Sequence, residues 1–261
     1  MVESITILGG RGKQGEVEPV ARLELRMGDL VSVVGATGSG KTTLINDIEL
    51  FADGNTPTGR RILINGEIPG PEYRQDPAKN PIALITQHTT FLSDLPVGVF
   101  LRTHARIRGK NGKDEEQIVA ETLEFANQLT GEAIAVESRM TELSGGQTRA
   151  LLIADATIVC NTPIVLLDEV ENAGINRTRA LELLRRYRKI FIFVTHDPRI
   201  ALLSDYRIVM RQGMVTAVLH TDKSEQRVAA KVTRLDDILS RLRDRIRQGE
   251  RLSEPELEGV L

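Results

Sequence analysis

Leu30-Val31-Ser32-Val33-Val34, running straight into Gly35-Ala36-Thr37-Gly38-Ser39-Gly40-Lys41-Thr42, decides the architecture of this 261-residue chain. The first five residues form an apolar run without polar alternation, the pattern of a strand buried on both faces of a parallel sheet. The next eight fit G-x-x-x-x-G-K-[ST], in which glycines let the backbone turn its N–H groups inward around phosphate oxygens. Thr43 to Phe51 then reads as a helix whose positive N-terminal end adds to that attraction. Strand, glycine loop and helix in this order imply a nucleotide. Lys41 would reach its β and γ phosphates, and the Thr42 hydroxyl would be a Mg2+ ligand. Gly35, Ala36, Thr37, Gly38, Ser39, Gly40 and Thr43 complete the expected cradle.

Three further runs share the strand signature: Ile82 to Ile85, Ile164 to Leu167 and Ile190 to Val194. Helix-prone stretches separate them, so the expected core is an α/β fold with a mostly parallel sheet. Glu3 to Leu8, Ala21 to Leu25 and Arg61 to Ile64 read as strands of a flanking antiparallel sheet. Asp94 to Glu142 is polar, with Ile118, Thr122, Phe125 and Leu129 in helical spacing. It is expected to be an inserted helical subdomain spanning about 94–150. The expected division is a domain over 1–222 and an amphipathic helical tail over 223–261. In that tail Val228, Val232, Leu235, Leu239, Leu242 and Ile246 form an apolar stripe in steps of four and three. Packing of this stripe on its own domain is the favoured reading over a coil with a partner.

Two acids, Asp168 and Glu169, close the run Ile164 to Leu167. Strand ends of this kind are where ligands bind in open α/β sheets. Asp168 would hold Mg2+ and Glu169 would polarise an attacking water. Leu143-Ser144-Gly145-Gly146-Gln147, before the helix-like run Thr148 to Ile158, reads as a second anion site: small residues, free N–H groups and a helix start. A simple N-cap by Ser144 is the plainer reading.

Phosphate loop, Leu-Ser-Gly-Gly-Gln segment and acidic pair together resemble the ATPase subunits of the ATP-binding-cassette (ABC) family, over roughly residues 5–220. The resemblance implies ATP hydrolysis by a head-to-tail dimer. Ser144, Gly145, Gly146 and Gln147 of one subunit would face the ATP held by the other. It implies that Gln87 touches Mg2+ and the attacking water, and that His196 contacts the γ-phosphate beside the catalytic Glu169. It also implies a second copy or a paralogous subunit, and a membrane permease meeting a groove near Phe91, Leu92, Leu95, Val97, Val99 and Phe100. A soluble client to be remodelled is the alternative output.

The chain departs from the family pattern in three places. Gly9 to Gly15 carries no aromatic residue to stack on adenine, leaving Arg11, a glycine hairpin or an added phosphate contact in its stead. Val170-Glu171-Asn172-Ala173-Gly174-Ile175-Asn176 differs from the usual segment after the catalytic glutamate. Asp155 stands where the family carries an arginine, with nothing in the sequence to account for it.

Composition narrows the partners. A net charge of -2 and 3% aromatic residues give little general attraction to nucleic acid, which is not an expected partner. The single cysteine, Cys160, allows no intrachain disulfide, and its apolar neighbours suggest a buried inert thiol. No charged-then-apolar leader and no long apolar span are evident, so the expected location is cytoplasmic, peripheral to the inner face of the membrane through a partner.

Overall fold

The computed structural model describes residues 1–109, 113–169 and 177–252. The segment 170–176, which departs from the family pattern, and residues 253–261 of the expected tail lie outside the described residues. The three-stranded antiparallel sheet has the order β2 (Arg22–Arg26), β1 (Ser4–Leu8), β4 (Arg61–Ile64). The larger sheet has six strands, in the order β5 (Ile82–Ile85), β6 (Ile164–Asp168), β7 (Ile190–Val194), β3 (Leu30–Val34), β8 (Tyr206–Arg211), β9 (Met214–His220). All neighbours in it are parallel except β8 with β9.

Burial on both faces explains why the sequence runs lack alternation. Ile164 and Leu166 of β6 pack with the antiparallel sheet and α1 (Lys41–Glu49), while Val165 and Leu167 pack with the helical elements on the other face. β7 divides in the same way, with Ile190, Ile192 and Val194 on one side and Phe191 and Phe193 on the other. The hairpin of β8 and β9 is not foreseen from sequence. Arg207, Arg211 and Thr216 interrupt its apolar residues, so neither strand reads as a continuous run. α2 (Glu72–Gln75) is a single exposed turn before β5.

The helical elements between β5 and β6 are α3 (Val97–Ile107), α4 (Lys113–Leu129), a 3₁₀ turn (Met140–Glu142) and α5 (Gly145–Ala154). Thr122, Phe125 and Leu129 of α4 are buried as their spacing implies. α5 continues into a π-helical turn, Asp155–Val159. There Asp155 finds its partner: its Oδ1 lies 2.8 Å from Nδ1 of His104 on α3. The pair and the neighbouring Cys160 hold His104 protonated, with its pKa raised to about 10. Cys160 is only half-buried and contacts both residues, which corrects the expectation that its apolar neighbours bury it.

Lys189 precedes β7 and is buried, its Nζ donating to Asn161 Oδ1 (2.6 Å) and Thr162 O (3.0 Å). Burial pulls its pKa down to about 8. Between about pH 8 and the ordinary lysine value of about 10.4, the unfolded chain holds more protons than the folded one, so this residue makes stability rise with pH. Urea midpoints measured at pH 7.5 and 10 should therefore climb more in the wild type than in Lys189→Met. Equal changes in the two proteins would remove Lys189 as the source.

α6 (Arg177–Leu184) and α7 (Pro198–Leu203) follow β6 and β7, and α8 (Lys223–Arg247) ends the described fold. α8 docks on α7. Ala229 and Ile238 are buried, Arg199 pairs with Asp236 (2.5 Å), and Arg207 pairs with Glu225. The helix packs on its own domain, as favoured, but not by the apolar stripe. The ion pairs fix the helix by a face containing Glu225, Ala229 and Asp236, and leave Val228, Leu235, Leu239 and Ile246 exposed. Among the described residues no helix is long and apolar enough to cross a membrane.

Candidate functional site

Parallel pairing gathers the predicted site residues at one edge. Lys41 follows β3, Gln87 follows β5, Asp168 ends β6 and His196 follows β7. Asp168 is in register with Val194, and Val194 with Val33, so these three strands end level with each other. Carboxyl ends of parallel strands are where an open α/β sheet accepts a ligand.

Gly35 to Thr42 forms a tight loop capped by α1. Gly38 and Gly40 take φ of 76° and 102°, in the left-handed region that glycine enters at little cost. A Cβ on Gly40 would sit 2.8 Å from Gly213 Cα, and one on Gly35 would sit 2.4 Å from Met210 O and 2.6 Å from Ser39 Oγ. Ser39 Oγ is buried and has no hydrogen-bond partner among the described residues, an acceptor or donor suited to a phosphate group. Lys41 is 7% exposed and folds back across the loop, donating from Nζ to Gly35 O (2.9 Å) and Ala36 O (3.3 Å). Thr42 and Thr43 are exposed on the first turn of α1. Glycines, orphaned hydroxyl, ammonium and helix start fit a polyphosphate.

Lys41, His196 and Glu169 converge from three separate strand ends. His196 Nε2 lies 3.2 Å from Lys41 Nζ and 3.7 Å from Glu169 Oε1. Glu169 has φ of 50°, uncommon for a residue with a side chain, and its N–H donates to Val194 O (3.0 Å). That contact ties the acid to the strand that leads into His196. Asp197 caps α7 through Arg199 N–H and also takes the Arg199 guanidinium, so the histidine turn is anchored to α7 and through Asp236 to α8.

Ser144 caps α5 by accepting from Gln147 N–H (3.3 Å), and the Gln147 side chain accepts from Ser144 N–H (2.9 Å). The plain capping reading is thus realised, and it leaves the helix start facing solvent. Ser144 and Gly145 are exposed, and a Cβ on Gly145 would meet nothing within 4 Å. Gln87 is exposed, and its carbonyl accepts from Arg149 of α5 (2.8 Å). One hydrogen bond therefore links the loop after β5 to the helix that begins at Ser144.

The segment without an aromatic residue is a hairpin, with Arg11 paired to Val17. Arg11 donates to Gly15 O (3.2 Å) within it, while Lys13 Nζ reaches Gly38 O of the phosphate loop (2.7 Å). Of the readings left open for this segment, the hairpin is the one seen. Sequence reasoning missed Arg60, fully buried behind the loop. It donates to Glu18 Oε1 (2.7 Å), Asp47 Oδ2 (3.0 Å) and Gly213 O (2.6 Å). Gly213 N–H in turn donates to Ser39 O (2.8 Å). No local motif separates Arg60 from its exposed neighbour Arg61 at the start of β4.

Residues 20–172 match the family model described as ABC transporter. The chain belongs to the ABC transporter family. An uncharacterised ABC transporter ATP-binding protein of Methanocaldococcus jannaschii is 47% identical over 256 residues, covering 98% of this chain and 97% of its own length. A methionine import ATP-binding protein of Corynebacterium jeikeium is 30% identical over 216 residues, 78% of this chain; the match spans only 56% of that relative. Among solved folds, a dimeric post-hydrolysis ATP-binding cassette bound to ADP and Pi superposes with a TM-score of 0.63 at 22% identity, covering 84% of this chain and 99% of that one. A cassette from a Clostridium perfringens ABC transporter complex gives 0.65 at 18% identity, covering 92% and 100%. As an ABC-family ATPase, this chain binds and hydrolyses ATP.

Proposed function

We propose that two copies of this chain, or this chain and a paralogous one, close head to tail around two ATP molecules, and that this motion powers a membrane permease. The convergence of Lys41 Nζ, His196 Nε2 and Glu169 Oε1 within 3.2 and 3.7 Å carries the reading. Lys41, with the loop N–H groups, stabilises the charge that develops on the β and γ phosphates. Glu169 accepts a proton from the water that attacks the γ phosphorus, the bond to the bridging oxygen breaks, and ADP leaves. His196 donates to the γ-phosphate and keeps Glu169 aligned. Mg2+, held by Thr42 with Asp168 and Gln87, would neutralise charge on the phosphate oxygens.

The exposed start of α5 supports dimer closure, since Ser144 and Gly145 face solvent and a Cβ on Gly145 would meet nothing within 4 Å. Closure is isologous, each phosphate loop meeting the partner's α5. The Arg149 bond to the Gln87 carbonyl gives a path between the two. Permease docking is supported by Leu92, Leu95 and Val99, which are exposed, whereas Val97 is core and Phe91 packs on Phe100 at 5.0 Å. The exposed stripe on α8 favours a second reading, a soluble protein client, which capture with an ATP-locked variant would separate from a permease.

Light scattering tests the dimer. Glu169→Gln with ATP should run as a dimer and return to monomer when ATP is removed. Adding Ser144→Arg to that variant should leave nucleotide binding within a few-fold and abolish the dimer. A monomer with saturating ATP, or a dimer untouched by Ser144→Arg, would sink the sandwich.

A further inference from the structure

His104, Asp155 and Cys160 come together far along the chain from the phosphate loop. His104 Nδ1 lies 2.8 Å from Asp155 Oδ1, and its other nitrogen, Nε2, lies 3.8 Å from Cys160 Sγ. The thiol is also 3.6 Å from Asp155 Oδ2. One ligand atom from each of the three lies within 4.8 Å of the other two. The π turn produces this meeting. In an α-helix, residues five apart point about 140° away from each other, at 100° per residue. Here Cys160 N–H donates to Asp155 O (2.9 Å), the i to i+5 bond of a π turn, and both side chains reach His104 on α3. Such turns inside α-helices are frequent at functional sites.

We propose that His104, Asp155 and Cys160 bind a borderline-soft divalent ion of the Zn2+ class. Imidazole, thiolate and carboxylate are the donor set such an ion selects, whereas Mg2+ and Ca2+ take oxygen ligands. With bonds of about 2.0 to 2.3 Å, neighbouring tetrahedral ligands stand about 3.6 Å apart. The thiol-to-imidazole and thiol-to-carboxylate separations of 3.8 and 3.6 Å match that spacing. An ion on Nε2 would displace the protons of that nitrogen and of the thiol, and Asp155 would exchange its contact with Nδ1 for the ion. His104 and Cys160 are partly exposed, which leaves a way in and a fourth position for water or an anion. Ion binding would pin α3 to the end of the helix that begins at Ser144. It would thus stiffen the element that is proposed to meet the partner's ATP.

Co2+ alone, titrated into the full-length protein, tests the site through its absorption spectrum. Cys160 is the only cysteine, so any thiolate signal belongs to it. The expected result is one ion per chain, with a thiolate-to-cobalt charge-transfer band that Zn2+ removes by displacement. Zn2+ should also slow alkylation of Cys160 by iodoacetamide at least about tenfold. Cys160→Ser should lose the band, and Asp155→Asn, short of one charged ligand, should bind Co2+ more weakly. A wild-type protein that turns over ATP yet shows no band at saturating Co2+, and whose thiol is alkylated equally fast with Zn2+, would overturn the proposal. That outcome is the one a purely structural hydrogen-bonded cluster gives.

Discussion

Glu169→Gln is expected to bind ATP with near wild-type affinity and to hydrolyse it roughly 10² to 10⁴ times more slowly, the range for losing a positioned general base. The amide keeps the shape of the side chain and still accepts a hydrogen bond, so the 3.7 Å approach to His196 and the backbone bond to Val194 survive. What disappears is the capacity to take a proton from water. Affinity should hold because Lys41 and the glycine loop, not Glu169, form the phosphate cradle. Single-turnover measurement with ATP prebound separates the chemical step from binding and release. Turnover within threefold of wild type would take Glu169 out of the mechanism. A loss of affinity matching the loss of rate would make it a structural residue instead.

The sequence was most readable where a single local rule governs. Strands buried on both faces are read from unbroken apolar runs, as in Ile190 to Val194. The phosphate loop is read because its close contacts with Met210 and Gly213 admit only glycine at Gly35 and Gly40. Legibility failed where two distant segments share a role. β8 alternates buried Tyr206, Ile208 and Met210 with Arg207 and Arg211, because only one of its faces is fully covered although it is paired on both sides. Asp155 seemed to lack a purpose because its partner His104 lies 51 residues away, and a π turn belongs to neither the 3.6 nor the 2.0 period. For α8 the stripe was legible as a helix, but ion pairs chose a different face for docking. Charge partners cannot be read from an apolar period.

Arg60→Met is expected to cost about 3 to 5 kcal/mol of stability, the penalty for breaking a buried ion cluster from one side. Glu18 and Asp47 keep only 1% and 3% of their side-chain surface exposed, so both carboxylates would be left in a poorly solvated interior without their cation. Burial alone would pull Arg60 below its ordinary pKa, but Glu18 and then Asp47 outweigh it and hold the guanidinium firmly charged. Glu18 also accepts from the N–H groups of Gly10 and Val215, and Asp47 from Thr58 Oγ1 (2.8 Å). The cluster therefore joins the glycine hairpin, α1, the approach to β4 and the turn between β8 and β9 around the phosphate loop. Thermal unfolding should fall by on the order of 10 °C for a chain of this size. ATP affinity should weaken as well, even below the transition, because Arg60 fixes the Gly213 carbonyl and Gly213 N–H fixes Ser39. Replacing Glu18 and Asp47 by Gln and Asn alongside Arg60→Met should recover part of the loss, since the stranded charges are then gone. A shift under about 2 °C in the single variant would mean that water reaches the carboxylates. Full stability with weakened ATP binding would confine Arg60 to holding the Gly213 turn.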